Sequence, residues 1–400
     1  MNLLEGCRIL LALSGGIAAY KGAGIVRHLR AQGAEVRVIM TKSACEFITP
    51  LTLEVLSEQP VVTELFRPGD ESEIGHIELA RWPHVVLVAP ATANVLAKAR
   101  YGIADDLLTT VLLATTAPVL FCPAMNTQML LHPATQENLE ALRGRPRTHV
   151  LSPDAGSLAC GEVGAGRLPD PDVIEEALLD VLTPKRLAGL DVLITAGPTR
   201  EFFDPVRFLS NPSTGMMGYA VARAARRMGA RVTLVSGPTS LARPLGVDFV
   251  PVVSAEQMRE EVFARRSDIC VMSAAVADWT PVDPAAHKRK KTDGSWLPEL
   301  TRTTDILASL SASDRRPKLL IGFAAETQDV ERYAREKLQK KHIDGIVANN
   351  VGGVDGAFGN ERNEVFLIDP GETRQLASAP KIRIAEDICE WIAKLYGERA

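Results

Sequence analysis

Twice along its 400 residues this chain passes from a short aliphatic run into a glycine-bearing loop. Arg8 to Leu13 (RILLAL) meets Ser14-Gly15-Gly16, and Asp191 to Thr195 (DVLIT) meets Ala196-Gly197-Pro198. An unbroken aliphatic run of this length suits a parallel strand buried on both faces, and the bare backbone N–H groups of the loop can come close to a phosphate. A chain that begins such a unit twice is constrained to two α/β units, each with its own ligand-binding edge. The loops that follow are chemically unlike, so the second half is not a copy of the first and the chain can join two reactions.

Length supports the same division, because 400 residues exceed one typical hydrophobic core and make two domains the natural expectation. With 46% hydrophobic and 24% charged residues and a formal net charge of −4, the chain has no global drive toward nucleic acid or anionic membrane. Any polyanion must be met locally. Cys7, Cys45, Cys122, Cys160, Cys270 and Cys389 are scattered with no CxxC pair, which argues against a disulfide framework or zinc knuckle and fits a reducing cytoplasm. The start does not read as a signal peptide: Glu5 spoils a basic region, the apolar run stops at Ser14, and Lys21 follows in the next turn. No stretch approaches the apolar length needed to span a bilayer, so no membrane anchor is expected.

The first half alternates aliphatic runs (Arg8 to Leu13, Glu35 to Met40, Val85 to Ala89, Val119 to Cys122) with helical patterns such as Ile17 to Gln32. This is the pattern of a doubly wound α/β unit, whose ligands lie beyond the carboxyl ends of the strands. Asp154 to Pro171 is rich in glycine, proline and small residues and reads as a long flap rather than a helix. A helical stretch from Asp172 to Leu182 and the breaker Thr183-Pro184-Lys185-Arg186 place a boundary near residues 183 to 190, giving units 1–189 and 190–400. In the second unit, strands are expected at Asp191 to Thr195, Arg231 to Val235, Ile269 to Ser273, Leu319 to Phe323 and Gly345 to Ala348. Helices are expected near Gly218 to Met228, Glu256 to Arg265 and Val330 to Lys341. Both halves are Rossmann-like in layout, yet neither has a strict GxGxxG, so an NAD assignment from fold alone would be weak.

In the first half the strand-end loops offer a cradle: Ser14, Gly15 and Gly16, then Thr41 and Ser43, then Ala89, Thr92 and Asn94. His76 in GHIEL, Asn126 in PAMN and Cys160 in the flap are the candidates for chemistry. Singly, each has a plain alternative: a surface helix histidine, a helix-capping asparagine and a small buried thiol. In the second half Arg207 and Asn211 precede Ser213-Thr214-Gly215 and a helix start, a combination that suits a phosphate, although a capped helix explains the hydroxyls equally well. Lys288-Arg289-Lys290-Lys291 reads as a solvated loop, a nucleic-acid patch without interleaved aromatics, or a triphosphate contact; Ala274 to Asp278, ending a strand just upstream, adds a carboxylate of the kind that meets a nucleotide or its Mg²⁺.

Taken together the motifs carry a resemblance. GHIELA, PAMN and SLACGEVGAGR, with SGGIAAYK, APATAN and ADDLL, make the first half similar to the flavin-containing cysteine decarboxylases, phosphopantothenoylcysteine decarboxylase among them. The resemblance implies a flavodoxin-like fold that binds FMN through the strand-end loops. FMN would oxidise the cysteine thiol side to a thioaldehyde, which accepts electrons as CO₂ leaves. Asn126 would orient the carboxylate, His76 would act as base or orienting group, and Cys160 would deliver a proton to the ene-thiolate. TAGPTRE, DPVRFLSN, AAVADW and GFAAET make the second half similar to the phosphopantothenate–cysteine ligases. By that resemblance CTP with Mg²⁺ is the activating nucleotide. Ala274, Asp278, Lys288, Asp305, Ile306, Phe323, Lys337 and Lys341 would hold it, with Asp278 toward the metal, and Asn211 and Arg207 would hold an acyl-cytidylate until the cysteine amine attacks. Met216 where lysine is common, Pro212, and Thr303-Thr304 where Asn-Pro is usual depart from the pattern and bear on loop motion and nucleotide contacts. The implied assembly is a homo-oligomer, trimeric through the first half and dimeric through the second, together a dodecamer. A flavin prenyltransferase and a phosphatase-regulating flavoprotein are the competing readings of the first half, and both leave the second half without a role.

Overall fold

The computed structural model describes residues 3–65, 75–157, 163–290, 296–326, 328–350 and 362–399, and divides into a unit of residues 1–183 and a unit of residues 184–400. In the first unit β1 (Arg8–Leu13), β2 (Glu35–Met40), β3 (Val85–Ala91), β4 (Val119–Pro123) and β5 (Thr148–Val150) form a parallel sheet in the order β2-β1-β3-β4-β5. That order is the flavodoxin-like one, and its ligand crevice lies where the connections from β1 and β3 diverge.

The alternation of side chains explains why these strands read as unbroken aliphatic runs. In β3, Val85, Leu87 and Ala89 enter one core and Val86, Val88 and Ala91 enter the other, so every residue must be apolar. One face is covered by α1 (Gly22–Ala31), α2 (Pro50–Ser57) and, from the end of the unit, the helix Pro171–Leu182. The other carries α3 (Gly75–Arg81), α4 (Ala93–Tyr101), α5 (Leu107–Ala114), α6 (Thr127–Leu131) and α7 (Pro133–Arg143). The helix expected over Ile17 to Gln32 begins as a 3-10 turn, Ile17–Lys21, before α1 takes over. The flap has regular arms: β6 (Asp154–Ser157) and β7 (Val163–Arg167) pair antiparallel. The closing helix, α8 (Pro171–Leu182), is tied to α1 by His28, whose Nε2 lies 2.6 Å from Glu175 Oε2.

In the second unit β8 (Asp191–Ala196), β9 (Arg200–Phe202), β10 (Phe208–Ser210), β11 (Arg231–Ser236), β12 (Asp248–Pro251), β13 (Ile269–Met272), β14 (Trp279–Pro281), β15 (Leu300–Arg302), β16 (Leu319–Glu326), β17 (Gly345–Asn350), β18 (Arg362–Ile368) and β19 (Thr373–Pro380) appear in chain order. Eight of them form one sheet, β12-β11-β8-β13-β16-β17-β18-β19, parallel as far as β17 and antiparallel beyond it. Helices α9 (Met216–Arg227), α10 (Ala255–Ala264), α11 (Ile306–Ser311), α12 (Val330–Lys340) and α13 (Lys381–Gly397) cover it. Tyr219 and Val221 of α9 share one core with Ile384, Ile388 and Ile392 of α13, while Met258, Leu307 and Leu338 of α10, α11 and α12 share the other. Because β18 runs against β17, and β19 against β18, β19 ends at the same sheet edge as the parallel strands. The residue after it, Lys381, is thereby delivered to the ligand edge. The antiparallel edge and α13 extend the expected Rossmann-like layout. The 200–210 and 279–302 hairpins are two further additions to it.

Candidate functional site

The loops after β1, β2, β3 and β4 all leave the carboxyl edge of the first sheet. Ser14 is fully buried; its Oγ donates to the Pro90 carbonyl oxygen at 2.8 Å and accepts the Thr92 N–H at 3.0 Å. This pair of bonds joins the β1 and β3 loops at the switch point. Thr92 also caps α4, its Oγ1 accepting the Val95 N–H at 3.4 Å. The β2 loop closes on the same place, since a Cβ added to Gly15 would lie 2.3 Å from Ser43 Cβ and 2.8 Å from the Ser43 carbonyl carbon. Thr41 N–H donates to the Leu13 carbonyl oxygen at 3.0 Å and Thr41 Oγ1 accepts the Ala44 N–H at 3.2 Å, bracing that loop. Gly16 precedes the 3-10 turn, Ala89 is buried inside β3 so that only its backbone can face a ligand, and Asn94 is exposed on α4. Glycine at 15, the hydroxyls at 41, 43 and 92 and the backbone N–H groups near the helix starts are a donor set that suits a phosphate-bearing cofactor, while the Ser14 hydroxyl is given to Pro90.

Asn126 follows β4 and caps α6, its Oδ1 accepting the Gln128 N–H at 2.8 Å. The flap arms dock on this loop. Met125 N–H donates to the Gly166 carbonyl oxygen at 3.0 Å, and Thr127 Oγ1 donates to the Ala165 carbonyl oxygen at 2.9 Å. Cys160, between those arms, lies outside the described residues. His76 is the second residue of α3 and half-buried.

The second unit holds a cleft of about 790 Å³ at the carboxyl edge of its sheet. Asn211, Ala274, Asp278, Asp305, Ile306, Phe323, Lys337 and Lys341 all border it, so eight residues named from separate motifs come together. Asn211 Nδ2 donates to the carbonyl oxygens of Ala275 and Val276 at 3.3 and 3.0 Å, fixing the amide against the β13 loop. Lys337 Nζ donates to the Phe323 carbonyl oxygen at 2.9 Å, and Lys341 Nζ lies 2.8 Å from Asp305 Oδ2. Burial, and next the charge of Lys341, pushes the Lys337 ammonium below the ordinary lysine range. For Asp305 burial acts to raise the carboxyl, but the Lys341 ammonium and the Ala308 N–H hold it below its usual value. The start of α9 forms another wall; it begins at Met216, earlier than the sequence pattern suggests, because Gly215 at φ +80° turns the chain there. Ser213 and Thr214 Oγ atoms accept the N–H groups of Gly215 and Met216 and brace the turn, but the N-cap is Gly215 and no side chain caps α9, so the hydroxyls are not the helix cap that the plain reading expects. Thr303, at one departure from the family pattern, donates through Oγ1 to the Ala277 carbonyl oxygen at 2.6 Å and through N–H to that of Asp278 at 3.0 Å, which tethers the Asp278 loop.

Arg207 and Lys288 do not line this cleft: they belong to an adjoining pair of segments organised by Asp204, and Lys288 is exposed. Asn349, Asn363 and Lys381 line it as well, and of these Asn363 and Lys381 escape sequence reasoning. Lys381 is 7% exposed, with its ammonium pushed down by burial. A groove of similar volume, about 810 Å³ between α12 and β18, is lined by Asp329, Arg332 and Arg335 and carries none of the motif residues. Among the described residues, the group able to gather three His or carboxylate ligand atoms is His28, Asp172 and Glu175, at the α1–α8 junction rather than at Asp278.

These features define the class: a two-unit α/β protein with phosphate-suited strand-end loops in the first unit and a basic-residue-bearing cleft at the carboxyl edge of the second sheet. The Flavoprotein family model matches residues 2–183, and that of the DNA/pantothenate metabolism flavoprotein C-terminal domain matches residues 187–396. The chain is 48% identical over 408 residues to the coenzyme A biosynthesis bifunctional protein CoaBC of Bacillus subtilis, with 100% of each chain covered. Solved structures similar to its parts include the C-terminal domain of a CoaBC protein (41% identity, 54% of this chain, 99% of that chain, TM-score 0.46). Another is a PPC decarboxylase mutant complexed with pantothenoylaminoethenethiol (33% identity, 44% of this chain, 97% of that chain, TM-score 0.40). The chain belongs to the CoaBC family of bifunctional coenzyme A biosynthesis proteins.

Proposed function

We propose that the chain makes 4′-phosphopantetheine in two steps. The second unit ligates 4′-phosphopantothenate to L-cysteine, and the first unit, with FMN, decarboxylates the 4′-phosphopantothenoylcysteine so formed. Full-length similarity to bifunctional CoaBC proteins is the observation that carries this reading, since it spans both family domains at once. No prenyltransferase or phosphatase-regulating reading uses the second unit.

In the first unit Ser14, Gly15, Gly16, Thr41, Ser43, Thr92 and Asn94 would hold FMN, with the Ala89 backbone beside them. FMN supplies the two-electron oxidation that gives the departing carboxylate an electron sink. Asn126, whose Oδ1 accepts the Gln128 N–H, would orient that carboxylate. The flap arms dock on the Asn126 loop; in this reading the flap would exclude water and Cys160 would be the proton donor. His76 acts as base or orienting group.

In the second unit a carboxylate must become an electrophile, so transfer of CMP from CTP makes a mixed anhydride and releases pyrophosphate. Asp278 with Mg²⁺, Lys288, Lys337 and Lys341 meet the phosphates, with Ala274, Asp305, Ile306 and Phe323 around the nucleotide. Asn211 and Arg207 hold the acyl-cytidylate while the cysteine amine attacks. Trimeric contacts of the first unit and dimeric contacts of the second build a dodecamer. The test supplies phosphopantothenate, cysteine, CTP and Mg²⁺ to the purified protein and follows pyrophosphate and CO₂. Absence of pyrophosphate sinks the ligase assignment, and pyrophosphate without CO₂ from a yellow, FMN-loaded protein sinks the decarboxylase assignment.

A further inference from the structure

Asp204 is 1% exposed and accepts hydrogen bonds on both carboxylate oxygens. Oδ1 accepts the N–H groups of Val206 and Arg207, each at 2.9 Å, and so closes a turn within its own loop. Oδ2 does something the turn does not need: it accepts the Arg289 backbone N–H at 3.2 Å, 85 residues away in sequence, together with the Arg207 guanidinium at 3.3 Å. The same guanidinium reaches the Arg289 carbonyl oxygen at 3.4 Å, and the Ala285 N–H donates to the Phe203 carbonyl oxygen at 2.9 Å. Trp296 seals the junction, edge-on to Phe203 at 5.2 Å and beneath the Arg289 guanidinium at 5.5 Å. A buried carboxylate survives only where its charge is met, and here every donor comes from the Arg207 loop or the basic segment. Burial acts to raise this carboxyl, but the N–H groups of Val206, Arg289 and Arg207 hold it below the usual range.

We infer that Asp204 is a positioning residue of the ligase site, whose second oxygen holds the Lys288–Lys290 segment against the Arg207 loop so that cations from two distant stretches act on one anionic substrate. The inference rests on Lys288 meeting the nucleotide as proposed above. Asp204→Asn is the selective cut. Asparagine keeps an oxygen for the Val206 and Arg207 N–H groups but sets an NH₂ donor against the Arg289 N–H and the Arg207 guanidinium.

With the full FMN-loaded protein, Asp204→Asn should raise the KM for CTP about tenfold, as for loss of one charge-assisted hydrogen bond, while kcat stays within about twofold. Decarboxylation of supplied phosphopantothenoylcysteine should not change, and the Trp296 emission, isolated by difference against Trp296→Phe, should shift as the junction opens. Lys288→Gln is the reference. An unchanged KM in Lys288→Gln would show that the nucleotide assignment fails; an impaired Lys288→Gln beside a normal Asp204→Asn would overturn the positioning role alone. The double variant should bind CTP no worse than Lys288→Gln, and additive losses would count against the inference. Should Asp204→Asn not fold, Arg289→Pro deletes the same N–H from the other side and Arg289→Ala keeps it. A higher KM in the proline variant supports the inference, and equal values overturn it.

Discussion

Gly15→Ala tests whether the meeting of the β1 and β2 loops is the cofactor cradle. The added Cβ would stand 2.3 Å from Ser43 Cβ, 2.8 Å from its carbonyl carbon and 2.9 Å from its carbonyl oxygen. Backbone atoms cannot swing aside as a long side chain can, so the Ser43 loop must move as a whole. That loop is braced by the Thr41 N–H to the Leu13 carbonyl oxygen and by the Ala44 N–H to Thr41 Oγ1. Overpacking of this kind costs about 1–3 kcal/mol. If the loop relaxes in the apoprotein and must return to grip the cofactor, the cost falls on binding. FMN binding should then weaken roughly 5- to 150-fold, at about 1.4 kcal/mol per factor of ten. Flavin fluorescence quenching measures the Kd, and thermal melts of the apoprotein measure where the cost lands. An unchanged Kd with a lowered apoprotein Tm would refute the reasoning, because the strain would then belong to the fold and not to the cradle. Ligation, performed by the other unit, serves as the control and should keep its rate.

Four further outcomes are expected. Gly166→Ala, at φ +140° with its new Cβ 2.1 Å from the Met125 carbonyl oxygen, should unseat the flap and lower the decarboxylation kcat at least about tenfold, with no change in pyrophosphate release. Cys160→Ala should block completion of decarboxylation and spare ligation; equal loss of both in a folded variant would contradict two separable sites. Asn211→Ala should do the reverse, leaving CTP consumption measurable as pyrophosphate while slowing amide formation. Lys337 carries a depressed pKa, so its charged form is disfavoured in the folded apoprotein and stability should rise with pH between that lowered value and the ordinary lysine value. A bound triphosphate restores the charge, so CTP binding at a pH between that lowered value and the ordinary lysine value should take up protons, measured by calorimetry in two buffers of unlike ionisation enthalpy, and Lys337→Met should abolish the uptake.

What the sequence made legible follows from how locally each feature is encoded. β1, β3, β8 and β13 stand out because strands buried on both faces have no polar position to break the run. The glycine loops stand out because close backbone approach admits no substitute, as the Gly15–Ser43 contact illustrates. β18 and β19 are harder: RNEVFLI opens on three polar residues, TRQLASAP has one large aliphatic among small and polar ones, and only their antiparallel pairing at the sheet margin gives them a place. α13, Lys381–Gly397, has an ordinary amphipathic pattern, but nothing local ties its first residue to a ligand edge.

Asn363 and Lys381 reach the cleft through that topology. β18 enters the sheet at the ligand edge, so Asn363 lies there, and β19 leaves at the same edge, so Lys381 does too. Asp204 and Ser14 stand inside DPVRFLSN and SGGIAAYK, so the sequence shows the residues but not their bonds. Their importance lies in partners 85 and 76 residues away, Arg289 and Pro90, and no window of sequence contains both ends of either bond. Residues inside the motifs are therefore the readable layer of this protein. The residues that set those motifs in place are selected by pairing across the fold, and a search confined to motifs will miss them in the second unit more than in the first, since its antiparallel edge adds a cleft wall that no nucleotide-type motif announces.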